Sequence, residues 1–173
     1  MTYPPIAAGQ RITGNLLTAM LPVVITKPAT TERADTATPT IDPDLQIELA
    51  GSAVYFVEFH LMPAAIADAD WRTNWVVPAG ASGLKAVMGP STVAANSQAD
   101  NITMRAGVHQ FETQVVVNGV RNGNSLAFYV HEWGIVRTGA AGGTCGIAWA
   151  QGTSNPTPSR LFADSVMIAR RIG

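Results

Sequence analysis

Residues 53–62 read AVYFVEFHLM and residues 125–137 read SLAFYVHEWGIVR. Both are dense in β-branched and aromatic side chains, and neither shows the i, i+3, i+4 recurrence of an amphipathic helix. They predict strands. The first half of 53–62 is apolar on both faces, which fits a strand covered on both sides. The stretch 125–137 is the longest strand candidate, with Gly134 as a bulge position.

Working outward, the same signal recurs at short intervals. Residues 44–49 alternate, with Leu45, Ile47 and Leu49 on one side and Gln46 and Glu48 on the other. Residues 71–77 and 84–88 are strand-like and separated by Pro78, Gly80 and Gly83. Residues 102–104 give a weak strand signal and 111–117 a strong one. Asn118-Gly119 and Asn122-Gly123 are tight-turn pairs, and predict a hairpin from 111–117 into 125–137. Gly139 to Gly143 marks another turn, after which 144–151 and 161–172 close the chain. Short strands spaced by turn signals, without helices between them, predict an antiparallel sandwich or barrel.

The N-terminal part differs. Residues 1–11 carry two prolines and predict an extended lead-in. Ile12, Leu16, Leu17 and Met20 then recur at helical spacing until Pro22, which predicts a helix of about two turns over about 13–21. A helix that short is marginal alone in water, so its apolar stripe needs a surface, either of its own domain or of a neighbour. These four residues are the candidate attachment site. Residues 23–25 form a short strand candidate, and the Thr-, Pro- and Asp-rich stretch 27–44 predicts an arm over a surface. The expected organisation is an N-terminal arm, 1–43, and a β-sandwich, 44–173.

Composition bounds the function. Of 173 residues, 13% are charged and 47% hydrophobic, and the net charge is −1. So little charge suits a chain that hides additional surface against copies of itself or a larger assembly. It offers no electrostatic case for nucleic acid or an anionic membrane. The most apolar early run, 16–25, is broken by Pro22 and too short to span a bilayer. No signal-peptide pattern opens the sequence, and a soluble chain is expected. The lone Cys145 allows no internal disulfide.

Candidate chemistry is sparse. His60, His109 and His131 are not paired with His or Cys at ligand spacing, so no metal or other cofactor is expected, short of three copies of one histidine meeting at a trimer axis. No Gly-x-Ser-x-Gly elbow is present. Gly139 to Gly143 lacks the Lys-Ser/Thr ending of a phosphate loop, and a hairpin turn is the expected reading. No pair of acidic residues is singled out for glycoside hydrolysis. No enzyme is expected. Most aromatic residues belong to core or subunit interface; the final strand, 161–172, and the strand carrying Phe128, Tyr129 and Trp133 are the interface candidates, because both have more apolar surface than one core face requires. Trp71 and Trp75, beside the polar loop 67–74, are the candidate ligand platform, with loops 63–70 and 91–101, for a carbohydrate- or receptor-binding alternative.

One resemblance runs in order over almost the whole chain. The opening Ala8-Gly9-Gln10-Arg11-Ile12-Thr13, followed by Leu16-Leu17, Met20 and Pro22, resembles the AGQRLTAALLN opening of a group of proteins from tailed actinobacterial phages and prophages. Ile41-Asp42-Pro43-Asp44-Leu45, Val54-Tyr55-x-Val57-Glu58, Trp75-x-Val77-Pro78-Ala79-Gly80-Ala81 and residues 148–155 (AWAQGTSN) are similar to the same pattern. The ending 159–165 lacks its Gly-Ser-Tyr-Leu. The resemblance implies a virion protein, minor tail or fibre type or a capsid decoration protein, with a C-terminal jelly roll similar to the TNF and C1q trimers. It implies a homotrimer on the particle exterior, assembled in the host cytoplasm. Its expected partners are tail or major capsid protein and, for a receptor-binding role, a host cell-surface glycan. It carries no catalytic residues.

Overall fold

The computed structural model describes residues 7–14, 17, 21–90, 104–117 and 124–173. Thirteen strands are present among them, β1 (Val23–Thr26), β2 (Thr31–Arg33), β3 (Thr40–Leu49), β4 (Val54–Leu61), β5 (Pro63–Ala64), β6 (Trp71–Val76), β7 (Lys85–Pro90), β8 (Met104–His109), β9 (Val115–Val117), β10 (Val130–Arg137), β11 (Gly143–Gln151), β12 (Ser159–Leu161) and β13 (Val166–Arg171). A six-stranded sheet runs β1-β13-β4-β10-β7-β8, a four-stranded sheet runs β3-β11-β6-β9, and a three-stranded ribbon runs β2-β12-β5. All pairings are antiparallel.

The connectivity is that of a jelly roll. From β3 to β4, β6 to β7, β8 to β9, β9 to β10 and β10 to β11 the chain passes between the two large sheets. Residues 138–142 therefore join strands of different sheets rather than closing a hairpin. The hairpin predicted from 111–117 into 125–137 is likewise not formed. β9 pairs with β6, whereas β10 lies between β4 and β7. The Asn-Gly pairs and loop 91–101 fall outside the described residues.

Between the two large sheets lies the core. Val57, Phe59, Leu61, Val87, Val130, Val136 and Met167 face Leu45, Trp71, Trp75, Val117, Cys145, Ile147 and Trp149. Phe59 meets Trp75 edge-on at 5.0 Å between ring centroids, and Trp71 stacks on Trp149 at 5.9 Å. β11 is buried along most of its length, and its outward positions are small: Gly146, Ala148 and Ala150. Burial pushes the Cys145 thiol up to about 12, so it is an inert core group.

The N-terminal segment is corrected by the structure. From Val23 on it belongs to the sandwich rather than to an arm: β1 pairs with β13, and Lys27 and Asp42 are fully buried. The predicted helix over about 13–21 lies mostly outside the described residues, where Leu16 and Met20 fall. Of its first turn, Leu17 donates its N–H to the Thr13 carbonyl at 3.1 Å. No helix of the described residues is long and apolar enough to cross a membrane.

Gly134 is not a bulge. The β10 register runs unbroken through it, with Val57 on one side and Lys85 on the other. A Cβ there would stand 2.5 Å from the Leu84 carbonyl oxygen and 3.1 Å from Lys85 Cα. Glycine is needed because two backbones approach closely. Gly134→Ala is expected to destabilise by about 1–3 kcal/mol, the usual cost of forcing a methyl group into a filled space, measured by urea unfolding. The register shift lies instead in the β11–β3 pairing, between Gly146 and Ala148.

Candidate functional site

Strand parity sorts the side chains of the six-stranded sheet. In β10 the burial alternates from Val130, and in β4 from Val57, so Glu132, Val136, Phe59 and Leu61 point inward. The opposite parity faces out. Phe56, Glu58 and His60 on β4 stand beside His131, Trp133 and Ile135 on β10. Register extends the surface to Ala86 and Met88 on β7, Val108 on β8, Ile168 on β13 and Val24 on β1. A solvated antiparallel sheet alternates apolar inside with polar outside. Here the outer side is also mainly apolar. Val24 and Val108 are 57% and 66% exposed, and Phe56, Leu84, Val108, Trp133 and Ile135 line one groove across β4, β10, β7 and β8.

One end of this face is aromatic and titratable. His60 and His131 are cross-strand partners whose rings stack at 4.5 Å, and His131 stacks in turn on Trp133 at 4.6 Å. The Tyr129 hydroxyl lies 2.6 Å from His60 Nδ1. Glu58 Oε1 lies 3.5 Å from His131 Nε2. Burial, reinforced by the neighbouring His60, holds His131 below the ordinary imidazole range against the pull of Glu58. Burial and the Glu58 charge raise the Tyr129 phenol.

Two charged clusters lie inside the sandwich. Lys27 donates to both Asp42 oxygens at 2.9 and 3.0 Å and to Asp44 at 2.7 Å, while Trp149 Nε1 donates to Asp42 at 3.0 Å. Desolvation would raise the Asp42 carboxyl. The bonds from Trp149, Lys27 and the Asp44 N–H together outweigh it and hold the group below its ordinary value. Arg33 lies 4.1 Å over the Trp149 ring and donates to the carbonyls of Thr40, Ile41 and Trp149. In the second cluster, Glu132 accepts from Thr73 Oγ1 at 2.5 Å and Trp75 Nε1 at 2.8 Å, with Lys85 at 3.4 Å. Burial lowers the Lys85 ammonium against the attraction of Glu132. Every member of the Asp42 cluster has a structural partner, and both clusters tie strands of one sheet to another.

The sequence-predicted residues separate. Tyr129, 42% exposed, and Trp133 come together on the outer face, whereas Phe128 packs partly against the core. The ligand platform is corrected: Trp71 and Trp75 are 0% and 2% exposed. Their spacing of four residues puts both on one face of β6, and that face points inward. Ile12 and Leu17 are exposed, at 57% and 52%. Sequence reading missed the Glu58, His60 and His131 grouping. Their parity was readable from each strand, but their meeting depends on the β4–β10 register.

No family model matches the chain, and no curated protein does. Among solved structures it is similar to a lipoprotein of Bacteroides thetaiotaomicron, at 9% identity and a TM-score of 0.21, over 100% of this chain and 94% of that one. It is similar also to VP2 of the infectious bursal disease virus subviral particle, at 9% identity and a TM-score of 0.20, over 88% of this chain and 40% of that one. A structure of the Gx strain of infectious bursal disease virus gives 11% identity and a TM-score of 0.19, over 88% of this chain and 41% of that one. The chain thus spans about two fifths of the VP2 length. Likenesses this slight carry no functional argument.

Proposed function

We propose that this chain is a structural, non-catalytic virion protein whose jelly rolls self-associate as a trimer through the outer face of the six-stranded sheet. The observation that carries the self-association is the chemistry of that face. Phe56, Trp133, Ile135, Val108 and Ile168 occupy outward positions that water would otherwise cover, and contiguous apolar surface of this kind marks an interface. Six strands ~4.8 Å apart and about six residues long span roughly 29 by 20 Å. That footprint, ~580 Å² in projection, supplies most of the ~800 Å² per partner of a stable interface.

A second copy is the favoured occupant because the groove between Phe56 and Val108 is lined mainly by apolar side chains, with Lys85 and Arg137 its charged members, and copies of one chain close into a ring when each presents this surface to a different patch of the next. The virion assignment, the trimer and the placement on the particle exterior rest on the resemblance to actinobacterial phage proteins. Within it the favoured role is minor tail or fibre, with the exposed Ile12 and Leu17 reaching a tail protein. Capsid decoration is the alternative, with major capsid protein as the partner. Quantitative mass spectrometry of purified particles tests the role: tens of copies per particle support the tail reading, hundreds support decoration, and absence refutes both. The carbohydrate-binding alternative has lost its named platform to the core.

A further inference from the structure

Among the described residues, one group of side chains has the composition and spacing of a metal site. Glu58, His60 and His131 each offer one ligand atom, and these atoms all lie within 4.8 Å of one another. Glu58 and His60 project from the same face of β4, and His131 faces His60 directly across the β4–β10 ladder. Three facts separate this group from an ordinary solvated cluster. His131 Nε2 is shielded from solvent and makes no hydrogen bond. Glu58 Oε1 stands 3.5 Å from that nitrogen, and the Tyr129 hydroxyl engages His60 Nδ1 at 2.6 Å. The scaffold is two central strands of the six-stranded sheet, so the backbone positions are held on both sides.

We propose that Glu58, His60 and His131 bind one divalent transition-metal ion of the zinc class, with Tyr129 as an outer positioning residue. Two imidazoles and a carboxylate are a donor set for borderline cations such as Zn²⁺, Co²⁺ and Ni²⁺, and unlike the all-oxygen sets that Ca²⁺ and Mg²⁺ take. Tetrahedral bonds of about 2.0–2.1 Å place ligand atoms ~3.3 Å apart. The Glu58–His131 separation of 3.5 Å is already close to that, and the remaining separations, none above 4.8 Å, close by side-chain rotation without moving the strands. The stacked rings of His60 and His131 must turn out of parallel to direct their lone pairs at one point. Three protein ligands leave a fourth position, open to water or to a donor from a neighbouring molecule. The site lies beside the apolar groove and does not depend on the self-association proposed above.

The test is a titration of tag-free protein with Co²⁺, read by its visible absorption, followed by displacement with Zn²⁺ in a calorimeter. The expected result is an intense tetrahedral Co²⁺ spectrum saturating at one ion per chain and abolished by Zn²⁺. The spectrum is expected to be lost in His60→Asn and His131→Asn and to weaken in Glu58→Gln. Tyr129→Phe is expected to lower affinity roughly 10-fold, as removal of an outer partner does. Circular dichroism confirms that each variant is folded. Absence of the spectrum in the unaltered chain, or its survival in folded His60→Asn or His131→Asn, overturns the proposal.

Discussion

Asp42→Ala is expected to destabilise the domain by about 3–5 kcal/mol, because it removes one partner of a buried ion pair and strands the other. Lys27 and Asp42 are both fully buried, and Asp42 also accepts the Trp149 indole N–H at 3.0 Å. After the substitution Lys27 keeps only Asp44, at 2.7 Å and partly exposed, and the indole N–H loses its acceptor. Urea unfolding at neutral pH measures the loss, with the slope unchanged because the surface exposed on unfolding is the same. Replacing both partners, as Lys27→Met with Asp42→Leu, is expected to cost less than Asp42→Ala alone, since no fully buried charge is left unpaired and Asp44 is partly exposed to solvent. Additive losses would show that the pair is not coupled as its geometry requires.

The same cluster is expected to contribute to the acid sensitivity of the fold. The Asp42 carboxyl is lower in the folded chain than its ordinary value of 3.8. The folded state therefore binds fewer protons, and the stability from this group is fully present above that value. It is lost as pH falls through the lowered folded value. In a comparison of unfolding curves across that window, the unaltered chain is expected to lose more stability than Asp42→Ala. Equal losses would remove Asp42 as the cause.

The second large effect concerns assembly. Trp133→Glu is expected to convert a trimer to monomer, a fall in solution mass from three times 18.2 kDa to 18.2 kDa, with an unchanged far-ultraviolet dichroism spectrum. Trp133 lines the groove on the outer face, away from the core, so the fold has little reason to change. A buried aromatic anchor typically contributes 2 kcal/mol or more to an interface, about 30-fold in affinity, and a closed ring repeats the loss at each contact. A charge placed among apolar partners adds its desolvation. A trimer that persists in Trp133→Glu would place the interface on another surface.

The strands were largely legible in the sequence, and their pairing was not. Alternation located β3, and density of β-branched and aromatic side chains located β4 and β10; both signals are local. Pairing in a jelly roll is non-local: β10 meets β4 some seventy positions away, at His131 and His60, while its neighbour in sequence, β9, joins the other sheet. The Asn-Gly signal for a hairpin describes a turn, and a turn does not say which sheet follows it. Residues 27–43 read as an arm because they are polar. Yet Lys27, Arg33 and Asp42 are polar groups that satisfy one another and Trp149 inside the fold, an arrangement composition cannot reveal. The polar loop beside Trp71 and Trp75 suggests exposure, yet Arg72, Asn74 and Val76 carry the outward parity of β6. The apolar surplus of the strand carrying Trp133 was readable in the sequence. That it forms one continuous face with Phe56, Val108 and Ile168 required the registers.

Self-association through the outer face of the six-stranded sheet is most directly tested by the solution mass of the unaltered chain, measured by light scattering at micromolar concentration. The account predicts a single species near three times 18.2 kDa. A single species at 18.2 kDa, stable across that concentration range, would contradict it.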